Sequence, residues 1–275
     1  MKKMFGFVMA GIIAVAGFAL QAGAAQKVSK IVLEGSTTVL PIAQMAAEDF
    51  MNNNAGIEIS VRGGGSGVGI TSLIEGRCDI ADSSRAIKDS ELSKAASKGI
   101  SPKANVVAMD GIVVVAHPSN PVNGLTKQQV KDIFSGKISN WSEVGGRNEK
   151  IIAVSRDSAS GTFEAFGELA LHGAKVRPDA LMQASNQAIA GTVSKTPTAI
   201  GYVGIGYISQ SVKAIPVEGV SASKQTVLSG KYPYARPLFM YTNGPAKGSV
   251  KEFLDFVLSK EGQALVEAEG FIGLK

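Results

Sequence analysis

Short apolar runs alternate with amphipathic helical stretches along most of this chain. That alternation limits the fold more than any other feature of the sequence. Lys30 to Glu34 reads as a strand, and Pro41 to Asn52 as a helix with Ile42, Met45, Ala46 and Phe50 on one face. Ile57 to Arg62 is a strand, Ser66 to Glu75 a helix, Cys78 to Ala81 a strand and Asp89 to Lys98 a polar-faced helix. Val106 to Ala116 is a long apolar run broken by Asp110-Gly111. Such β-α-β-α repetition predicts an α/β protein, with a mainly parallel sheet covered by helices on both faces.

A second set begins after His117-Pro118. Thr126-x-x-Gln129 is a capping box opening a helix that reaches Phe134. Strands are predicted at Ile151 to Ser155 and Ile200 to Val203, and helices at Thr162 to Leu171, with Phe163, Phe166 and Leu169 inward, and at Ala184 to Ser194. Ala214 to Val217 and Leu238 to Thr242 read as extended, Ser249 as the cap of a helix, and Glu261 to Ala268 as a last helix. The chain is thus expected to build one lobe, cross over, build a second and return. The predicted division is 25–112 with 222–275 for the first lobe and 113–221 for the second.

Residues 1–24 stand apart from this pattern. Met1-Lys2-Lys3 is a basic start, Phe5 to Leu20 an apolar stretch and Ala22-Gly23-Ala24 a small-x-small cleavage signal. Together they predict a secretory signal peptide and a periplasmic location. The apolar stretch is close to the lower length limit for a membrane span, and the cleavage signal follows it directly, which favours removal over an uncleaved anchor. No cysteine lies near the cleavage point, so a lipid anchor there is excluded. The single cysteine, Cys78, cannot form an internal disulfide and reads as a buried structural thiol. The formal charge of +5 is spread along the chain without a dense basic patch, which gives no sign of nucleic-acid binding.

Four short loops carry the chemistry. They are Gly35-Ser36-Thr37-Thr38, Gly63 to Gly67 around Ser66, Asp82-Ser83-Ser84-Arg85, and Arg156 to Thr162. Each follows a predicted strand, and all but the third run into a predicted helix. Such loops expose unpaired backbone N–H groups at the positive end of a helix dipole, with hydroxyl donors beside them. Serines before helices are often only caps, and glycine-rich turns only turns. Four of them at strand ends, two with an arginine, point instead to donors converging on one small oxyanion.

Other chemistries fail on spacing. Gly64 to Thr71 has the outline of a nucleotide P-loop, but Ile70 occupies the lysine position. A dinucleotide fingerprint lacks its third glycine, and no Ser sits in G-x-S-x-G. His117 and His172 are too few and too far apart in sequence for a zinc site. No cofactor and no metal is expected.

These same residues resemble the PstS type of phosphate-binding protein. The likeness includes Gly35 to Pro41, Gly63 to Gly67, Asp79 to Arg85, Phe134 to Ile138 with Trp141, Arg156 to Thr162, and Ile200 to Val203 with Gly206-Tyr207. It implies a type II periplasmic-binding-protein fold, with two α/β lobes, hinge crossovers and a ligand cleft between the lobes. It implies capture of inorganic phosphate, without catalysis, for an inner-membrane ABC permease, by a monomer. The phosphate-binding set it implies is Ser36, Thr37, Thr38, Ser66, Ser84, Arg85, Arg156, Ser160, Gly161 and Thr162. Two departures bear on selectivity. Ser84 stands where many relatives carry an aspartate that accepts the phosphate proton, and Ser158 stands where many carry another. The acceptor here is then a serine oxygen, a backbone carbonyl or Asp82. A phosphate-ester hydrolase, or a surface adhesion or signalling protein on the same fold, are the alternatives.

Overall fold

The computed structural model describes Met1 and residues 28–274, so the predicted signal peptide lies outside the described residues. Among the described residues there are nine strands: β1 Ser29–Gly35, β2 Ile57–Gly63, β3 Ile80–Ser83, β4 Pro102–Ala116, β5 Ile152–Arg156, β6 Leu181–Gln183, β7 Ala199–Gly204, β8 Lys213–Ile215 and β9 Ala235–Asn243. The helices are α1 Leu40–Asn53, α2 Ser66–Ile74, α3 Asp89–Ser97, α4 Lys127–Ser135, α5 Gly161–Leu169, α6 Asn186–Val193, α7 Lys224–Leu228, α8 Gly248–Leu258 and α9 Lys260–Ala268.

The strands join in the order β2-β1-β3-β9-β4-β7-β5-β6, with β8 also on β4. The β1, β2 and β3 pairings are parallel, as are those of β5 with β6 and β7. A mainly parallel sheet was the expectation, and here the structure differs. The returning strand β9 inserts antiparallel between β3 and β4, and β4 runs antiparallel to β7 and β8. β4 is the spine of the molecule. Its first part pairs with β9, and from Ile112 onward it pairs with β7 and β8.

Asp110-Gly111 does not interrupt this strand. The Asp110 carboxylate faces its cross-strand partner Arg236, and the missing side chain of Gly111 leaves room for the Tyr232 ring. Two large cores flank the spine. One packs Ile31, Leu33, Ile42 and Phe50 with Leu238, Met240, Phe253 and Leu254, so α8 and α9 return to the first half of the chain. The other gathers Phe134, Trp141, Phe166 and Tyr202, together with Val227, Tyr232 and Tyr234. The result is one mixed sheet with helices packed on it and two large cores beside the spine.

Local differences follow from packing. On α1, Ala43 and Ala47 are buried while Met45 turns outward, because the helix packs close to its neighbours and small side chains fit the contact. Lys247 rather than Ser249 precedes α8, and the Ser249 hydroxyl bonds that of Ser29 at 2.7 Å. On α5 the inward residues are Ala165 and Phe166. Phe166 stacks on Tyr202 with ring centroids 3.9 Å apart, and Phe134 meets both edge-on. This aromatic stack fixes α5 on β7 and so fixes where its first turn, Ser160 to Thr162, points. The Thr126 capping box forms as expected.

Candidate anion-binding site

The four loops meet. Ser36 N–H donates to Asp82 O at 2.8 Å, which holds the first loop against the end of β3. Ser36 Oγ accepts from Thr38 N and Val39 N, closing the turn into α1. The Tyr207 hydroxyl donates to Thr37 O and ties this loop to the segment after β7. Gly67 N–H donates to Ala159 O at 3.0 Å, so the second and fourth loops touch. Gly65 adopts φ 99°, and a side chain there would place its Cβ 2.5 Å from Ala159 O. Gly161 is tighter: a Cβ would lie 2.2 Å from Ser66 Oγ and 2.8 Å from Ser84 Oγ. Glycine is therefore what allows the loops after β2, β3 and β5 to converge.

Hydroxyls link up inside this junction. Thr38 Oγ1 and Thr162 Oγ1 are 2.9 Å apart, and Ser66 Oγ and Ser84 Oγ 3.3 Å. Ser84 N–H donates to Ser66 Oγ at 3.0 Å. Ser160 Oγ accepts from Phe163 N at 3.1 Å and caps α5. Ser36, Thr37, Thr38, Ser66, Ser84, Ser160 and Thr162 are all buried.

Two guanidiniums are buried with them. Arg156 Nε donates to Gln183 O at 3.1 Å and Nη2 to Ala184 O at 3.0 Å, while Nη1 has no partner among the described residues. It forms no ion pair there, although it is only 1% exposed. Burial, the largest influence, lowers its proton affinity, with the Asp157 carboxylate pulling the other way. An arginine nonetheless stays charged in a protein. Arg236 differs, because Asp110 neutralises it at 2.8 Å. Its Nη1 donates to Ser84 O at 3.0 Å and its Nη2 to Thr162 Oγ1 at 3.0 Å. Asn186, at the start of α6, donates to Thr37 Oγ1 at 3.2 Å and Thr38 Oγ1 at 3.0 Å.

Arg85 is the member of the predicted set that the structure draws away from the hydroxyls. Glu91 holds its Nη1 and Nη2 at 2.8 and 2.7 Å, and Glu164 its Nε at 2.6 Å. Lys88 also reaches Glu164, at 2.8 Å. The physical reason is charge: two carboxylates already satisfy this cation. Arg85 becomes a tie between the loop after β3 and helix α5. Arg236, Asp110 and Asn186 were not picked out as site residues from sequence. The available signal was Asp110, a lone carboxylate inside an apolar strand, which has to find a cation.

The Asp82 side chain takes no part in these contacts, although its backbone carbonyl accepts from Ser36 N. Both carboxyl oxygens are buried without a partner among the described residues, and burial pushes its pKa well above the usual carboxylate range. Above the unfolded value of about 3.9, the folded chain keeps a proton that the unfolded chain has lost, so stability falls as pH rises. Asp82→Asn removes that dependence. Chemical denaturation at pH 5 and pH 8 should show the variant gaining on the wild type at the higher pH. An unchanged difference would mean that Asp82 is ionised and paired. Burial, with smaller contributions from nearby Glu34, Asp82 and Asp79, likewise pushes the Cys78 thiol up to about 12, which suits a structural role. Among the described residues no group of three His, Cys, Asp or Glu side chains could hold a metal ion.

A family profile described as a PBP superfamily domain matches residues 20–261. The phosphate-binding protein PstS of Bacillus subtilis is 35% identical over 247 residues, covering 88% of this chain and 80% of that protein. PstS of Borreliella burgdorferi is 33% identical over 253 residues, with 88% of each covered. A Clostridium perfringens protein whose crystal structure holds bound phosphate superposes with a TM-score of 0.84 at 35% identity, over 90% of this chain and all of that one. An ABC-type phosphate transport receptor from Vibrio cholerae gives 0.73 at 32% identity, over 88% and 99%. The chain belongs to the PBP superfamily and, within it, to the PstS family of phosphate-binding proteins.

Proposed function

We propose that this protein captures inorganic phosphate between its lobes and delivers it to an ABC importer, breaking no bond. One observation carries the reading: Arg156, a buried cation with no carboxylate partner among the described residues and one nitrogen, Nη1, left without an acceptor, sits on the loop that meets the converging hydroxyls. A buried charge without a partner is costly, and an anion supplies the missing one. Thr37, Thr38, Ser66, Ser84, Ser160, Gly161, Thr162 and Arg156 are the proposed ligand set. Ser36 acts through the turn it closes. Arg85, with Glu91 and Glu164, holds the loops together at the rim.

Binding without catalysis is the reading that the phosphate-binding relatives support. His117 bonds Ser119 and His172 lies on the surface, so neither histidine activates a serine of the site. The proposed lobes join near Asp110-Gly111 and near Ala235, a later return than residue 222. This rests on Val227, Tyr232 and Tyr234 packing in the second core. A periplasmic monomer that binds no nucleic acid fits the role. Among the described residues no helix is long and apolar enough to cross a membrane.

Calorimetric titration with phosphate, sulfate, arsenate and molybdate tests the assignment. Phosphate should be preferred over sulfate, by a smaller margin than in a relative with aspartate at the Ser84 position. Ser84→Asp adds a charged acceptor, which a phosphate hydroxyl satisfies and sulfate cannot. It should widen the margin by at least about tenfold. Equal or tighter sulfate binding by the unmodified protein would sink the phosphate assignment.

A further inference from the structure

A hydroxyl can donate or accept, and its neighbours decide which it presents to a ligand. Asn186 has two amide hydrogens, one on Thr37 Oγ1 and one on Thr38 Oγ1. Its carbonyl Oδ1 accepts from Gly204 N at 3.1 Å, so the amide cannot turn over without opposing two donors. Arg236 Nη2, 2.8 Å from Asp110 Oδ2, donates to Thr162 Oγ1 at 3.0 Å and more weakly to Thr38 Oγ1 at 3.4 Å. The lone pairs of Thr38 and Thr162 are thereby occupied, while Thr37, with one donation, keeps one open. Of the two hydrogens on the Thr38–Thr162 pair, one bridges the pair. The other, and that of Thr37, has no acceptor among the described residues. The Ser66–Ser84 corner is built differently. It receives only one N–H, from Ser84, and keeps open lone pairs.

We propose that Asn186 and Arg236 set the polarity of the site. They compel the Thr38–Thr162 pair to donate to the anion, and they leave the Ser66–Ser84 corner to accept the phosphate hydroxyl. Both are positioning residues, and the inference rests on the phosphate reading above. It answers how a site without the usual aspartate tells a protonated anion from an unprotonated one. Discrimination comes from an asymmetry of lone pairs and needs no additional charge.

The test reverses the polarity. In Asn186→Asp the carboxylate accepts from Thr37 and Thr38, whose lone pairs then face the ligand. Asn186→Ala removes the donations without reversing them. The charged and titratable groups around this junction (Arg156, Arg236, Asp110, Asp82, Tyr202 and Tyr207) are common to all three proteins and cancel in the comparison. Phosphate and sulfate affinities are measured by calorimetry at pH 6 and pH 8, with circular dichroism to check folding. Between the two pH values phosphate loses its second proton. Asn186→Asp should lose at least tenfold more phosphate affinity over this interval than wild type, and sulfate should be weakened more than phosphate. Asn186→Ala should weaken binding equally at both pH values. Identical pH slopes for the two folded variants would overturn the proposal. Should Asn186→Asp not fold, Ser66→Ala/Ser84→Ala is read instead. Its preference for phosphate over sulfate should fall at least tenfold, and an unchanged preference would overturn the proposal. A wild type that binds no phosphate would overturn the ligand assignment and this inference with it. A wild type that binds phosphate while the variants keep its slope overturns this inference alone.

Discussion

Arg156→Ala should weaken phosphate binding by at least about 2–3 kcal/mol, roughly 30- to 150-fold, while leaving the fold intact. A desolvated charged pair loses one partner, and the remaining donors are neutral. The same change should have the opposite sign on the empty protein. Arg156 is buried and bears a charge that no described residue balances, so its removal relieves a penalty in the unliganded state. The expected signature is an empty protein at least as stable as wild type whose melting temperature rises far less when phosphate is added. Calorimetric titration and thermal unfolding with and without phosphate measure both halves. Affinity within threefold of wild type would remove Arg156 from the site.

The second large effect concerns Asp110. This carboxylate is fully buried, takes the Arg236 guanidinium through Nε and Nη2 at 2.9 and 2.8 Å, and accepts from Ile205 N at 2.9 Å. Its pKa is raised, chiefly by burial, with Arg236 pulling it back down. Asp110→Ala strands a buried guanidinium and should destabilise the protein by about 3–5 kcal/mol. Arg236→Met in the same chain should restore much of that loss, because a buried pair replaced as a whole by apolar side chains is often tolerated. Phosphate binding should not return in the double variant, since Arg236 also holds Ser84 O and Thr162 Oγ1. Urea denaturation of the single and double variants is the measurement. A loss below about 1 kcal/mol for Asp110→Ala would mean that the pair is solvated or dispensable.

Much of this arrangement was legible in the sequence. The elements of the first half follow from periodicity, because β1, α1, β2 and α2 each carry a clear apolar pattern and a marked end. The anion loops were visible as hydroxyl and glycine clusters at strand ends, and all four supply hydroxyls to the junction. What stayed hidden depended on partners far apart in the chain. The charge of Arg85 could be read, but not that Glu91 and Glu164 would claim it. Asn186 looks like an ordinary residue at a helix start until Thr37 and Gly204 are brought to it. The antiparallel insertion of β9 also leaves no local mark, since periodicity reports which face of a strand is buried and not which strand lies beside it. The short β6 and α7 carry too few residues to show a period.

The position of β9 also dictates an order of assembly. Ala81 pairs with Tyr241 and Asn105 with Met240, so the strand that closes the gap between β3 and β4 is among the last parts of the chain to be made. A chain ending before Ala235 would have nearly all the residues of the second core but would leave two strand edges open in the first. Open edges invite pairing with other molecules, and contacts this distant in sequence form slowly. The protein would therefore be most vulnerable to misassociation just before its final segment docks. That same docking completes the anion site, because Arg236 arrives with β9.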